Sequence, residues 1–516
     1  MTGKAATLAP GPQAVGLRRL LGNASLVGAG TLFQQALSFA SGLVVARMLG
    51  AAEYGMFNLA RNLADLAGIV SRCGLDIGLQ RHLGEDSSPA ARAAQAAVLA
   101  RLRLLVAGFA CLPAILVLLG AGAALESGLY RYERFAETLL CLLLVLPFAT
   151  DLAVLGGAYR GALRLAPSVL AEYFLLPALR LIAIVALFLA GWRLPAVIAG
   201  SMLATAAASL CLAARARRDF PTAAAASAGS WRDAWGVVRY SSVLSAAVLV
   251  TTLTAAMDLL LLGHFASAQE TGQYALAKTL LLLVGVCGVA FGQGLGAQVA
   301  GRHARGDPHG AAAAVKLTVR WIALGTAPVF ALFLFWGVAA TRLFGPSFEL
   351  PQAVVAWLAC AQYLVAVLGP AGWVLSMTGR HCTELGILSA GLLVAVLCGG
   401  LAIPAFGQLG AAVSTAAAIA VATIGRVLFA RRALGRLTVG RDVAVVTATA
   451  VGLAALVAWL AASLPWPAAA RAAAGAGGFL LAYGACAWRL LLERDERQQL
   501  RDAGRALAGR LAGGAR

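Results

Sequence analysis

The chain is a succession of apolar segments, each roughly twenty residues long and set off from the next by a short basic or Gly/Pro-bearing break. Residues 104–125, 443–464 and 472–488 contain no charged side chain. A bilayer core about 30 Å thick takes about twenty residues of helix to cross, and backbone polar groups in lipid must be satisfied within the segment. Each such run is therefore predicted to be a transmembrane helix. Charged residues make up 12% of the chain against 61% hydrophobic ones, about half the charged share of a soluble domain, so the 516 residues are not soluble domains in series. The pattern predicts an all-α integral membrane protein of about fourteen spans. Residues 1–22 form a short basic tail, and the first span is too long for the apolar region of a secretion signal, so no cleaved leader is expected.

A net charge of +19 first suggests a nucleic-acid partner, but its distribution points elsewhere. With the amino terminus cytoplasmic, 31 of the 41 basic residues fall on one face, among them Arg18, Arg92, Arg103, Arg160, Arg217, Arg305, Arg320, Arg432 and the tail from Arg489 to Arg516. Six fall on the other: Arg47, Arg131, Arg134, Arg193, Arg342 and Arg471. This positive-inside asymmetry places both termini in the cytoplasm. It assigns the charge to topology and anionic headgroups, not to nucleic acid. Eight of the nine cysteines lie singly inside spans, with no metal-ligand spacing, and the five histidines are dispersed, His303 and His309 sharing a cytoplasmic loop. Neither a metal centre, a disulfide framework nor a cofactor is expected. No phosphate-binding glycine loop, carboxylate pair or nucleophile motif gives enzymatic chemistry a seat.

Sliding the chain against itself by 217 residues reveals an internal repeat. Glu53, Gly55, Leu59, Ala60 and Leu63 fall on Glu270, Gly272, Leu276, Ala277 and Leu280, and Arg61 falls on Lys278. The same offset sets Gly68 on Gly285, Arg103 on Arg320 and Gly108 on Gly325 without a gap. The Arg61/Lys278 match weighs most, because cations inside a span are rare. The offset carries the second span onto the eighth, an even step, so the two halves share one orientation: parallel repeats related by a pseudo-two-fold axis, of the kind that bind substrate between them. The expected organisation is a tail at 1–22, a six-helix lobe at 23–214, a cytoplasmic linker at 215–239, a second six-helix lobe at 240–430, two appended helices at 442–492 and a tail at 493–516.

A charge in the middle of a span costs on the order of 2.5–3.5 kcal/mol on insertion scales, so it faces a cavity or a partner. In the second span Arg61, Asp65 and Arg72 share one stripe with Asn58 and Gly68. An Arg61 to Asp65 pair that only ties helices together is the simplest reading, yet it leaves Arg72 over. Asp258 has no basic neighbour one turn away; it can pair with Lys278 or Arg61 or serve as a proton or sodium site. Tyr274 and Lys278 share a face with Gly285 and Gly292. Glu172 and Arg180 form an internal pair or further lining, and Asp151 is a weaker candidate. Arg61, Lys278, Arg72 and Arg180 are thus the candidate cations of a substrate cavity, with Asp65, Asp258 and Glu172 as cavity or coupling acids. Corresponding cations in both halves favour an anionic substrate carrying phosphate or carboxylate.

The run from Gly30 to Ala60, GTLFQQALSFASGLVVARMLGAAEYGMFNLA, and GLDIGLQRHLG from Gly74 to Gly84 resemble the amino-terminal signature of bacterial polysaccharide flippases, the O-antigen (Wzx-type) and exopolysaccharide translocases of the multidrug/oligosaccharidyl-lipid/polysaccharide exporter superfamily. The stretches 160–181, 258–280 and 406–435 are similar to later parts of the same pattern. The resemblance implies a V-shaped, two-lobed transporter in the bacterial cytoplasmic (inner) membrane. It would flip undecaprenyl-diphosphate-linked oligosaccharide, a repeat unit of O-antigen, capsule or exopolysaccharide, by alternating access. Its implied partners are that lipid-linked anionic oligosaccharide, membrane lipids and polysaccharide polymerase or assembly proteins. Arg47, Glu53, Gly55, Asp76, Arg81, Asp258 and Lys278 match positions typical of the family. Asp76 and Arg81, at the cytoplasmic end of the second span, form either a gate or a capping pair. His264 departs from the repeat, standing where symmetry would place a partner for Arg47.

Three alternatives stay open. Lipid II flippases share the superfamily but would show a denser arginine cluster in the first spans, where the first span here has none within it. Multidrug/cation antiporters favour acidic lining, which Asp65, Asp258 and Glu172 supply. A membrane glycosyltransferase or ligase needs a long outer loop, whereas the longest outer connection here, around 126–137, is about a dozen residues.

Overall fold

The computed structural model describes residues 12–84, 89–220, 231–292, 295–305, 307–378, 380–434, 441–492, 496–498 and 501. Residues 1–11 of the expected tail, 221–230 of the linker and most of 493–516 lie outside the described residues, as do the side chains of Arg18, Arg19, Arg81, Arg92 and His303. The described elements are helices, with no strand among them, as the apolar runs require.

Among the described residues, twelve helical stretches are long and apolar enough to cross a membrane. The first, Leu26–Arg72, is 47 residues long, about twice what one crossing needs. It is broken at Gly50, whose φ of 76° and ψ of 176° lie outside the helical region and which a side chain would strain. One residue thus divides the stretch into two rods of the lengths expected for the first two spans. The other stretches correspond to the expected third to thirteenth spans. The fourteenth corresponds to Ala468–Cys486, which is not among the twelve.

The helices group into two compact units. The first holds α1 (Pro12–Arg72), α2 (Leu75–Gly84), α3 (Pro89–Leu116), α4 (Gly122–Ala124), α5 (Phe135–Leu143), α6 (Leu146–Gly161), α7 (Leu165–Val169), α8 (Leu176–Leu189), α9 (Leu194–Asp219) and α10 (Trp231–Phe265). It also takes in α11 (Ala268–Gly292) as far as Leu280, α16 (His381–Phe406) from Leu385 and α17 (Gln408–Leu434) as far as Ala418. One buried cluster in it is built from Leu75 and Leu79 of α2, Leu102 of α3, Leu155 and Tyr159 of α6 and Leu212 of α9. The second unit holds the rest of α11 and α17 with α12 (Leu295–Ala304), α13 (Pro308–Arg342), α14 (Gln352–Leu368), α15 (Pro370–Met377), α18 (Arg441–Ala462) and α19 (Ala468–Cys486). There Tyr483 of α19 donates to the carbonyl of Leu324 at 3.0 Å, and Phe479 packs on Trp336. Leucines such as Leu119, Leu189, Leu401 and Leu481 stand almost fully exposed, as side chains solvated by lipid do.

Within the first unit, α1 and α11 cross at Gly55 and Gly272, two positions that the 217-residue offset matches. A Cβ on Gly55 would strike the carbonyl oxygen of Ala268, and one on Gly272 would strike that of Ala51. Ala51 and Ala268 are matched by the same offset. The contact is therefore reciprocal, each residue meeting the repeat-mate of its own neighbour, as at a two-fold interface.

Candidate functional site

Asp258 on α10 is buried, and its carboxylate is closed by three side chains. The Lys278 ammonium of α11 donates to Oδ1 at 2.8 Å and Oδ2 at 3.0 Å, and to the carbonyl of Ala255 at 2.7 Å. The Tyr274 and Thr415 hydroxyls each donate to Oδ2 at 2.9 Å. An ammonium has three donors, and all three acceptors of Lys278 are accounted for. Of the partners considered for Asp258, the structure selects Lys278. Tyr274 reaches it because the residue sits one helical turn before Lys278 on the same face. Thr415 is a site residue that the sequence did not disclose: it lies 157 positions away on α17, one small hydroxyl among many.

Arg61 is placed differently. It lies 3.8 Å from Asp65, its repeat-aligned acid position is empty of charge, and both side chains of the Arg61–Asp65 pair are about half exposed. The position that the offset assigns to Asp258 is Ser41. Ser41 and Arg61 line one small cavity with Arg180, Tyr54, Asn58 and Ser201. Its volume is about 50 Å³, room for a few water molecules. The Nε of Arg180 is buried there without a hydrogen-bond partner. One half of the repeat thus holds a closed ion pair, and the other, with serine in place of the acid, holds two arginines around a cavity.

Glu172 does not pair with Arg180. It accepts from Arg160 at 3.0 Å, leaving its Oε1 buried without a partner. The reason is local: residues 170–175 form a π turn, which alters the wheel positions that place Glu172 near Arg180 on a regular helix. Arg72 lies 3.9 Å from Asp76, both half-buried, so the cation left over in the helical stripe meets the acid of the expected gate pair; the Arg81 side chain lies outside the described residues. Asp151 is held by Arg103 at 2.6 and 3.0 Å and by Ser209 at 3.1 Å. His264 is tied to the carbonyl of Leu129 at 2.8 Å. All nine cysteines are free, and no cluster of metal-ligating side chains occurs among the described residues.

This arrangement of helices is similar to that of solved multi-span membrane transporters. Among solved structures, an inward-facing multidrug resistance MATE family transporter of the MOP superfamily superposes with a TM-score of 0.65 at 14% identity, covering 79% of this chain and 96% of its own. The lipid II flippase MurJ, in an inward closed conformation, gives a TM-score of 0.68 at 10% identity over 91% of this chain and 100% of its own. Residues 20–293, more than half of the chain, match the polysaccharide biosynthesis protein family, and the chain belongs to that family. The signature stretches at 30–60 and 74–84 fall inside the matched region. No curated protein sequence matches the chain.

Proposed function

We propose that the protein flips undecaprenyl-diphosphate-linked oligosaccharide from the inner to the outer leaflet of the bacterial cytoplasmic membrane by alternating access, and that it is not an enzyme. Arg61 and Arg180 lining one cavity, in a chain of the polysaccharide biosynthesis family, is the observation that carries this reading. Arginine forks match phosphate oxygens two at a time. A cavity with two of them repels organic cations, which disfavours drug/cation antiport. The cavity is too small for a diphosphate as it stands, so the headgroup enters only when the helices around it part. Lys278 is a third cation in reserve: a proton or competing cation on Asp258, or a substrate anion on the ammonium, frees it from its pair. Both termini lie in the cytoplasm in this reading, as the arginine asymmetry requires.

The test is complementation in a strain lacking its polysaccharide flippase and supplied with the biosynthetic genes that accompany this protein. Wild type restores surface polymer, while Arg61→Gln and Arg180→Gln, at equal membrane abundance, leave lipid-linked precursor on the cytoplasmic leaflet. Each charged hydrogen bond to phosphate contributes about 1.5–3 kcal/mol, so each variant loses about tenfold or more in substrate affinity. Full polymer from both variants would remove the arginines from the site.

A further inference from the structure

A chamber of about 1270 Å³ opens in the first unit, larger than the 300–1,000 Å³ pockets that hold drug-sized ligands. Its walls come from the residues after Gly50, the connection between α4 and α5, the turn before α9 and the turn after α10. The charge asymmetry assigns all four to the extracytoplasmic side. Half of the six basic residues on that side, Arg131, Arg134 and Arg193, line it, together with Glu53, Glu133 and Glu137. Three cations against three anions leave the chamber with no net charge. Among the described residues none of the six is in an ion pair, and Glu53 Oε2 is buried without a hydrogen-bond partner. Arg193 donates to the carbonyl of Met48 at 3.5 Å, while the side chains of Arg131, Glu133, Arg134 and Glu137 are exposed, so donors and acceptors of both signs stand open. Trp192 on the wall is half exposed and stacks on no other ring among the described residues.

The wall is rigid. Tyr132 bridges the carbonyl of Gly263 at 2.9 Å and the Thr271 hydroxyl at 3.0 Å, and Phe135 packs against both Tyr130 and Tyr132. Burial, with a smaller contribution from Tyr132, pushes the Tyr130 phenol up to about 12, and burial raises Tyr132 as well. Both stay protonated at neutral pH and add no charge.

We infer that this chamber binds the sugar units of the carried oligosaccharide, an inference that rests on the flippase reading. Balanced, unpaired guanidinium and carboxylate groups hydrogen-bond a polyhydroxylated ligand from either partner role, and a bare indole face covers the apolar side of a pyranose. The same balance makes the chamber a poor site for a diphosphate, which the arginine cavity suits instead. Headgroup and sugar thus have separate seats.

Two probes separate the two sites in full-length protein reconstituted in nanodiscs: the lipid-free, phosphate-free oligosaccharide released from the host's own surface polymer, and undecaprenyl diphosphate without sugar. Calorimetry is expected to show the oligosaccharide binding to wild type, a loss of tenfold or more in Trp192→Ala and in Arg134→Ala, both at exposed positions, and no change in undecaprenyl diphosphate affinity. Undiminished oligosaccharide binding by both variants overturns the chamber. So does a wild type that binds undecaprenyl diphosphate alone, a result that leaves the flippase reading standing; a wild type that binds neither probe removes both.

Discussion

Asp258 is a buried carboxylate whose stability depends on Lys278 more than on any other group. Removing one partner of a buried pair leaves a charge with no compensation and costs about 3–5 kcal/mol, whereas removing both with groups of similar size is often neutral. Asp258→Asn and Lys278→Met are therefore each expected to destabilise the detergent-solubilised protein by about 3 kcal/mol, and the double variant by less than either. Thermal unfolding of the four proteins measures the coupling directly. If the pair also takes part in transport, the folded double variant fails to export polymer. Additive losses in the cycle would show that Tyr274 and Thr415 satisfy Asp258 without the ammonium. The acid and the lysine were both legible in the sequence, because an ion inside an apolar run demands a reason. Their pairing was one of three choices left open, beside a pair with Arg61 and a proton or sodium site, since a helical wheel orders residues along one helix and says nothing of which helix stands opposite. Thr415 was invisible for the same reason.

At the scale of the helices, the crossing of α1 and α11 is fixed by two glycines whose obstacles are backbone carbonyls. A carbonyl in a helix cannot swing aside as a side-chain tip can, so an added methyl must push the helices apart. Gly55→Ala and Gly272→Ala are each expected to cost about 1–3 kcal/mol, and to cost nearly the same, because the contact is reciprocal. Gly108 in α3 is the control: a Cβ there meets nothing within 4 Å, and alanine in place of a helical glycine gains about 0.5–1 kcal/mol. Melting temperatures of the three variants check the ranking, and a Gly272→Ala protein as stable as wild type would break the argument from symmetry. This crossing was foreshadowed by the sequence offset, which matched Gly55 to Gly272 on identity alone. What the offset did not convey is that the two matched residues touch. Nor could regular-helix geometry anticipate the π turn that hands Glu172 to Arg160 and leaves Arg180 with Arg61.

For the molecule as a whole, the all-helical membrane fold followed from hydropathy because lipid permits little else, and the break at Gly50 separates the first two spans as expected, while the expected fourteenth span is not among the stretches apolar enough to cross a membrane. The appended carboxy-terminal segment, which offered no polar clue to its purpose, acquires one from the repeat. Arg103 and Arg320 are matched by the offset. Arg103 finds its acid in α6, at Asp151, whereas Arg320 of α13 donates to the carbonyl of Leu491 at 2.9 Å and to Glu496 at 3.1 Å, both beyond α19. The segment thus supplies in the second unit what a helix within the repeat supplies in the first. Both members of the Arg320–Glu496 pair are more than four-fifths buried, so Glu496→Gln, or removal of residues 491–516, is expected to destabilise the protein by about 3 kcal/mol. The Lys316–Asp442 pair in the same unit is roughly half exposed, at 3.2 Å, and Asp442→Asn is expected to cost about 1 kcal/mol or less. Thermal unfolding of the solubilised variants, read beside their abundance in membranes, sets the two pairs against each other. Equal effects would mean that Glu496 is screened as a surface charge is, and that the segment is held by Tyr483 and Phe479 alone.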